Sequence, residues 1–480
     1  MMDKRDILRL VQRDKGSQLK TQARVGRRYY EGQHDIKDYQ MFYYDADGVL
    51  VRDVYRTNVQ IPHPYFKVIA QQRVEYLLGG QGTFVLSQDP VLQKELDRYF
   101  DDDLREELKD LITSVQVEGW GHLYRYLGED GRSRFSAVQG LNVIEVNRQV
   151  SSDGNDYVIY HYTDQALSDS GEEVTITRIQ VWTAHETHYF IVEGNTIELD
   201  STQPLNPRPH ILYTVDGERY QDTFGEIPFY RLDNDNGKRL SDVHLVKELI
   251  DDYDIHACSI TNDIQDFSSA VYFVKGLQGD AEELNQLQLN LKTKKIAGVP
   301  LEAGIEVKTV DIPYEARKVK LDMNDRNIYL YGFGFNPNQL GDGNITNVVI
   351  RSRYAMLSLK CNRLESRLRT LMKKVIQMAL EEINTALETG YTLADTEVRF
   401  ERSIVTNEVD DAEIGLLNAK RDKETIDTLL RLSGLLGEGK VLELIGNALN
   451  IDVTDIDLDT LQQARLDLFA MSSDLMGDSS

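Results

Sequence analysis

The sequence predicts an α+β fold with more than one domain, and three observations carry that reading. Apolar residues recur every three or four positions from Asn347 to about Leu387, which is the period of one helix face. A second stripe of the same period runs from Asp242 to Phe267. Between Trp120 and Arg231 the texture changes to alternating β-branched and aromatic runs, the period of strands. A chain of 480 residues has room for two or more domains, each with its own core.

Composition narrows the class. With 41% hydrophobic and 28% charged residues this is a water-soluble globular protein. No apolar run approaches the roughly 18 residues of a membrane span. The start Met-Met-Asp-Lys-Arg-Asp lacks the apolar core of a signal peptide, so a cytoplasmic origin is expected. A net charge of -25 argues against gripping nucleic acid over the whole surface, because phosphate binding needs a basic footprint; it permits letting nucleic acid pass. Cys258 and Cys361 are the only cysteines, each on an apolar helix face, and buried thiols are expected in preference to a disulfide or metal ligands.

Taken in order, residues 4–30 read as one basic helix. The stretch Thr57 to Pro64 leads into a second helix, which stops at Gly79-Gly80. Asp101 to Val117 is a third helix with an acidic outer face. The strand region then forms an antiparallel meander with turns at Asp130-Gly131, Asp153-Gly154 and Glu193-Gly194. His185 and His188 lack the i,i+4 spacing of the helical zinc motif. Asp233 to Gly237 resembles a calcium loop, but its glycine comes one residue early and His244 stands where the bidentate Glu belongs, so it reads as a turn.

Ser241 is placed to cap the helix from Asp242 to Phe267, with Leu240 and Leu245 as a hydrophobic staple. Its other faces carry Glu248, Asp251, Asp252, Asp254, Asp263 and Asp266. Paired carboxylates can serve metal-dependent hydrolysis, so a nuclease or hydrolase built on Asp251, Asp252 and Asp254 is the competing class. No base, nucleotide fingerprint or metal constellation joins them, and a solvated or channel-facing acidic surface is the stronger reading. Residues 270–312 form a compact insert: a strand at Val271–Val274, a helix from Ala281 to Leu291, and short strands near Lys295-Ile296 and Ile305–Val307. Tyr314 to Leu330 is helix-compatible but weakly amphipathic.

The stretch Gly332 to Asn344 holds four glycines, a proline and three asparagines and reads as a loop. It opens onto the long element, which has Thr346 as its expected N-cap. Roughly 40 residues make a rod of about 60 Å. One face of it is basic, with Arg351, Arg353, Lys360, Arg363, Arg367, Arg369, Lys373 and Lys374. In so acidic a chain this charge is expected either to be solvated or to meet acidic neighbours or an anionic polymer. After it come a strand at Thr396–Phe400, helices with an acidic excess over 408–470, and a disordered tail from Ser472.

Four stretches of this order resemble the portal proteins of tailed bacteriophages, in the family typical of siphophages of Gram-positive hosts. They are the Tyr-Tyr-x-Gly-x-His-Asp-Ile run from Tyr29 to Ile36, the helix entry from Asn58 to Gly79, the helix from Ile250 to Phe267, and the start of the basic helix from Asn344. The likeness spans roughly residues 25–400. One departure is Thr346-Asn347-Val348, where the family has a small Ser-Gly pair entering the long helix. The resemblance implies a non-enzymatic homo-oligomeric ring, commonly of twelve subunits, without cofactors or a membrane role, sitting at the capsid vertex of the virion. It implies a wing (1–239 with 390–407), stem helices (240–267 and 314–331), a clip (268–313), a tunnel loop (332–346), a long wing helix (347–389) and a crown with a flexible tail (408–480). Double-stranded DNA would pass through it, driven by the terminase large subunit, with head-completion, major capsid and scaffolding proteins as further partners.

On that resemblance the tunnel loop touches DNA through Asn336, Asn338, Gln339, Leu340 and Asn344. The acidic stem helix lines the channel, and Lys292, Lys294 and Lys295 give the clip a basic docking edge.

Overall fold

The computed structural model describes residues 3–45, 47–54, 56–80, 83–147, 156–167, 173–194, 196–215, 218–234, 238–267, 271–275, 282, 304–308, 314–336, 352, 354–402, 408–431 and 437–449. The chain divides into two compact units, one of residues 1–339 with 353–404 and one of 340–352 with 405–480.

In the first unit the expected N-terminal helix is two. α1 (Lys4–Lys15) ends at Gly16, and Ser17 caps α2 (Gln18–Tyr30) by accepting from the Lys20 N–H at 3.3 Å. A serine that satisfies the first orphan amides stabilises a restart over a continuation, and that is why the single-helix expectation fails. The hairpin β1 (Phe42–Tyr44) and β2 (Leu50–Arg52) follows, then α3 (Tyr65–Leu78), β3 (Val85–Leu86) and α4 (Pro90–Tyr99). α4 was not foreseen, although Asp89-Pro90 is a sound start: Asp89 accepts from the amides of Val91 and Leu92 and Pro90 occupies the first turn. α5 (Asp102–Glu118) ends on Gly119 at φ +99°, where an added Cβ would lie 2.3 Å from the Arg239 carbonyl oxygen.

The strands β4 (Trp120–Leu127), β5 (Ser133–Gln139), β6 (Val143–Val146), β7 (Tyr157–Leu167), β8 (Glu173–Trp182), β9 (Glu186–Glu193), β10 (Thr196–Leu199), β11 (Arg208–Pro209), β12 (Ile211–Val215), β13 (Glu218–Asp222) and β14 (Phe229–Asp233) pair antiparallel throughout, as their alternation predicts. They make a sheet ordered β10-β9-β8-β7-β6, with β11 on β9, a sheet ordered β14-β4-β5, and the hairpin β12-β13. α6 (Lys247–Phe267) begins five residues later than expected, because Ser241 caps a single tight turn at Asp242–Leu245. β15 (Val271–Lys275) pairs with β16 (Gly304–Lys308), and α7 (Tyr314–Tyr331) follows. The expected helix at 281–291 and the strand near Lys295 lie outside the described residues, except for Glu282. α8 (Ala355–Leu387) is the long rod, 33 residues and so about 50 Å. It stops where Glu388 turns left-handed at φ 54°. The Thr346 cap lies outside the described residues. β17 (Glu397–Val398) closes on β3.

The main core explains why the rod is so long. Leu364, Leu368, Leu371, Val375, Ala379 and Ile383 of α8 pack against α3, α4, α5 and the β14-β4-β5 sheet, so one helix spans the whole layer. A second core sets Ile7 and Val11 of α1 on Ile159, Ile179 and Phe190 of the larger sheet. A third joins Tyr29, Phe66 and Ile69 to Val246, Ile250 and Ile328, and it positions the helix pair α6/α7. In the second unit the described helices are α9 (Glu408–Arg431) and α10 (Glu438–Leu449). The tail from Ser472 lies outside the described residues.

Candidate functional site

The acidic helix α6 is the place to start, because its carboxylates are where the sequence put the chemistry. Residues 57–63 run extended along it. The Thr57 amide donates to Asp266 at 3.1 Å, Val59 to Asn262 Oδ1 at 2.8 Å, Ile61 to Cys258 Sγ at 3.3 Å and His63 to Asp254 at 2.9 Å. Every second amide of an extended chain thus meets every fourth side chain of a helix. The repeat works because four helical residues rise about 6 Å and two extended residues advance about 6.6 Å. From the alternate residues, Asn58 and Gln60 donate to the Tyr39 carbonyl at 2.9 and 2.6 Å and hold the root of the β1-β2 hairpin.

The remaining carboxylates are also engaged within the chain. Asp254 is fully buried, taking His34 Nδ1 and His63 Nδ1 at 2.7 Å each. Burial alone would raise this carboxyl, but the two histidine hydrogen bonds outweigh that and hold it below the usual range. Asp251 accepts from Tyr29 Oη and from Lys247 Nζ at 2.7 Å. Asp252 accepts from Lys320 Nζ at 2.7 Å and Asn324 Nδ2 at 2.6 Å, which bolts α7 onto α6, and these partners lower it against the opposing effect of burial. Asp263 pairs with Arg56 and with Arg317 of α7, and Asp266 also takes the Thr57 hydroxyl at 2.6 Å. Glu248 is the acidic candidate exposed to solvent. Asp251, Asp252 and Asp254 therefore serve three separate sets of partners and do not converge on a shared point. Among the described residues no group of three or more His, Cys, Asp or Glu is placed to hold a metal ion.

The long helix is tied to this assembly through one buried node. Of the two expectations for the basic face, Lys360 meets the one of an acidic neighbour: it is buried and its Nζ lies 2.9 Å from Asp242, which also takes Arg73 at 2.5 Å and Asn234 Nδ2 at 2.7 Å. Arg367 donates to the Asp233 and Asn234 carbonyls at 3.2 and 3.4 Å. Arg363, Lys373 and Lys374 are exposed, and Arg351 and Arg353 lie outside the described residues.

The glycine-rich stretch begins packed instead of free. At Gly332 an added Cβ would sit 2.6 Å from the Ile328 carbonyl oxygen and 2.8 Å from Ile69 Cδ1, and at Gly334 it would sit 2.9 Å from Ile69 Cγ1. These two glycines admit α3, which is a different reason for glycine than a gate would give. Gln72 clasps the Phe335 backbone from both sides, at 3.0 Å to the amide and 2.8 Å to the carbonyl. Asn336 is buried and donates to Asp325 at 2.7 Å, so in a single copy its amide braces α7. Phe335 stacks on Tyr354 with centroids 4.4 Å apart, and Tyr354 stacks on Tyr76. The loop's two ends are thereby pinned to each other. Asn338, Gln339, Leu340 and Asn344 lie outside the described residues, as do Lys292, Lys294 and Lys295.

His34, His63, Asn262, Gln72 and Arg73 carry this arrangement, and sequence reasoning passed over all of them. His34 stands inside the Tyr29–Ile36 run, His63, Gln72 and Arg73 inside Asn58–Gly79, and Asn262 inside Ile250–Phe267, so the stretches that carry the family resemblance were the signal that covered them. Both cysteines are buried as expected, and burial raises each thiol, Cys361 to about 11.

Fold and site together define a scaffold: a helix pair whose charged groups fasten a peripheral α/β layer and the ends of one long loop. The family described as phage portal protein, SPP1 Gp6-like, matches residues 13–430. The chain belongs to that family, whose members are structural components of the phage particle at the capsid vertex. It is 24% identical over 450 residues to the portal protein of Bacillus phage SPP1, covering 90% of this chain and 87% of that one. It is 22% identical over 414 residues to the portal protein of Clostridium phage phiCD119, covering 79% and 85%. A chain of the neck of a native GTA particle, computed with C12 symmetry, aligns over 80% of this chain and 90% of its own, at 18% identity and a TM-score of 0.36.

Proposed function

We propose that the protein forms a closed ring, of twelve copies as the resemblance implies, at one vertex of the capsid, and that double-stranded DNA is packaged, retained and ejected through its centre. The observation that carries this reading is the family match over residues 13–430. Supporting it, α7 keeps Val319, Met323 and Leu330 exposed on the face away from its buried Asn324 and Ile328, and a second apolar face on a helix requires a neighbour. A net charge of -25 favours a bore along which phosphates slide without a sticking point. Glu248 is the acidic residue assigned to that bore, since the other five are engaged in fastening.

In this reading residues 332–346 form the tunnel loop, with the stacked pair Phe335 and Tyr354 holding it. Asn338, Gln339, Leu340 and Asn344 touch DNA weakly and without sequence preference. The insert 268–313 docks the terminase large subunit and later the head-completion protein through the edge containing Lys292, Lys294 and Lys295. Residues 1–239 with 390–407 make the wing, which meets major capsid and scaffolding proteins, and 408–480 make the crown. The chain is made in the host cytoplasm before joining the particle.

Negative-stain images of the purified protein test the ring directly. Rings with a central hole are expected, and particles of 54.9 kDa alone at micromolar concentration and physiological salt overturn the reading. Removing Asn338 to Gly341 should leave rings intact while impairing packaging or retention of DNA. Removing residues 268–313 should abolish terminase and adaptor binding.

A further inference from the structure

Two apolar surfaces in the first unit have no covering in a single copy. One is the β1-β2 hairpin. Its register sets Phe42 opposite Arg52 and Tyr44 opposite Leu50, so these four side chains share a face by the two-residue alternation of strands. Phe42 is 53%, Tyr44 72% and Leu50 55% exposed. A lone two-stranded hairpin is marginal in water, so this one needs something to lie against. Its root is held firmly, through the Tyr39 carbonyl and the ladder on α6, and its tip is acidic, with Asp45 and Asp47 flanking the turn at Gly48. The other surface is the outward stripe of α7, Val319, Met323 and Leu330, flanked by exposed Lys318, Asp322 and Arg326.

The two surfaces are similar in length, and each carries charges of both signs. Val319 to Leu330 spans about 16 Å of helix, and the hairpin face with its tip spans about 13 Å. The hairpin offers an acidic tip and one arginine, Arg52, at its root. The helix offers two basic residues, Lys318 and Arg326, and two acids, Glu315 and Asp322. Both surfaces stand exposed in the same copy, so neither covers the other there. A closed ring, moreover, requires two different patches on every subunit that fit each other head to tail.

We propose that the hairpin is an arm that lies on α7 of the next copy of this chain, with Phe42, Tyr44 and Leu50 on Val319, Met323 and Leu330. Asp47 then faces Lys318 or Arg326, and Arg52 faces Asp322. This inference rests on the ring reading above and adds which surfaces close it.

The natural cysteines are buried, so an introduced surface thiol reacts alone. The test is a chain carrying both Tyr44→Cys and Met323→Cys, oxidised mildly as assembled protein and run on a denaturing gel without reductant. A ladder of multimers reaching the full ring is expected, and reductant should collapse it to monomer. Co-expressing the two single variants should give cross-linked dimers and nothing larger. A control with Val91→Cys, an exposed position on α4, replacing Met323→Cys should give no ladder. Rings seen in images without any ladder overturn the arm contact and leave the ring reading standing. Cross-linking of Tyr44→Cys to itself means a two-fold contact and also overturns the proposal. Absence of rings in the unaltered protein removes the ring reading, and the arm contact falls with it.

Discussion

Replacing Asp242 by Asn should loosen the joint between the long helix and the helix pair more than any other single conservative change. Asp242, Arg73 and Lys360 are each no more than 3% exposed, and the carboxylate sits 2.5 Å from Arg73 and 2.9 Å from Lys360. Two unit charges about 3 Å apart at an effective dielectric of about 20 attract by roughly 5 kcal/mol, and taking each ion out of water costs several kcal/mol. The folded state is then left with Arg73 and Lys360 buried without that carboxylate, a loss of about 3–5 kcal/mol. Urea unfolding of the dissociated protomer should show the midpoint fall with the slope unchanged. Adding Lys360→Met to Asp242→Asn should cost less than the sum of the single changes, because the stranded ammonium is gone. A loss below about 0.5 kcal/mol, in the range of ordinary surface changes, or strict additivity of the two, would refute the node.

Four further outcomes follow from the same geometry. Asn262→Leu deprives the Val59 amide of its acceptor, and hydrogen exchange at Val59 and Ile61 should quicken about ten-fold, the worth of one hydrogen bond of roughly 1–1.5 kcal/mol. Gly119→Ala meets both a φ of +99° and the Arg239 carbonyl, so it should lower the melting temperature clearly more than Gly131→Ala, which has a φ of +75° but open space around it; about 1 kcal/mol is expected of the latter. Asp242 and Asp254 are held below the usual carboxylate range, so their stabilisation is present above pH about 4 and is lost as pH falls through their lower folded values. Asp254→Asn should therefore flatten the fall of melting temperature below pH 4. Phe335→Ala unpins one end of the long loop, and loss of DNA from filled heads should quicken while ring assembly is unchanged.

The elements were legible where periodicity acts over a few turns. The stripe on α8, the alternation in β4 to β14 and the capping serine at 241 are all local signals, and the antiparallel pairing followed from them. Chain breaks were harder: Gly16-Ser17 lies within a continuous amphipathic pattern, and only the cap geometry separates α1 from α2. The site was legible in its residue types and not in their use. Six carboxylates on one helix read as a charged face, yet four of them meet residues 29–66 across some 190 to 220 positions of sequence, and no local pattern encodes such a meeting. Gly332 and Gly334 misled for a related reason. Glycine marks both freedom and close approach, and only the position of Ile69 decides between them. The family resemblance carried what periodicity did not, namely the family itself, which matches over residues 13–430.

The ladder between residues 57–63 and α6 behaves as a vernier. Its two scales differ by about 0.6 Å per rung. Over the three intervals that separate four rungs the drift reaches about 1.8 Å, more than a hydrogen bond tolerates without bending of one partner. Four rungs on a straight helix therefore already draw on the freedom of the accepting side chains. Among the described residues the rungs number four, from Thr57 to His63; the next amide in register, that of Tyr65, donates to the His63 carbonyl at 2.7 Å, and the side chain due to meet it is Ile250, which has no acceptor. At its His63 end the fastening therefore stops where the helix turns from polar side chains to the core residue Ile250, and the mismatch of the two pitches would resist any further rung.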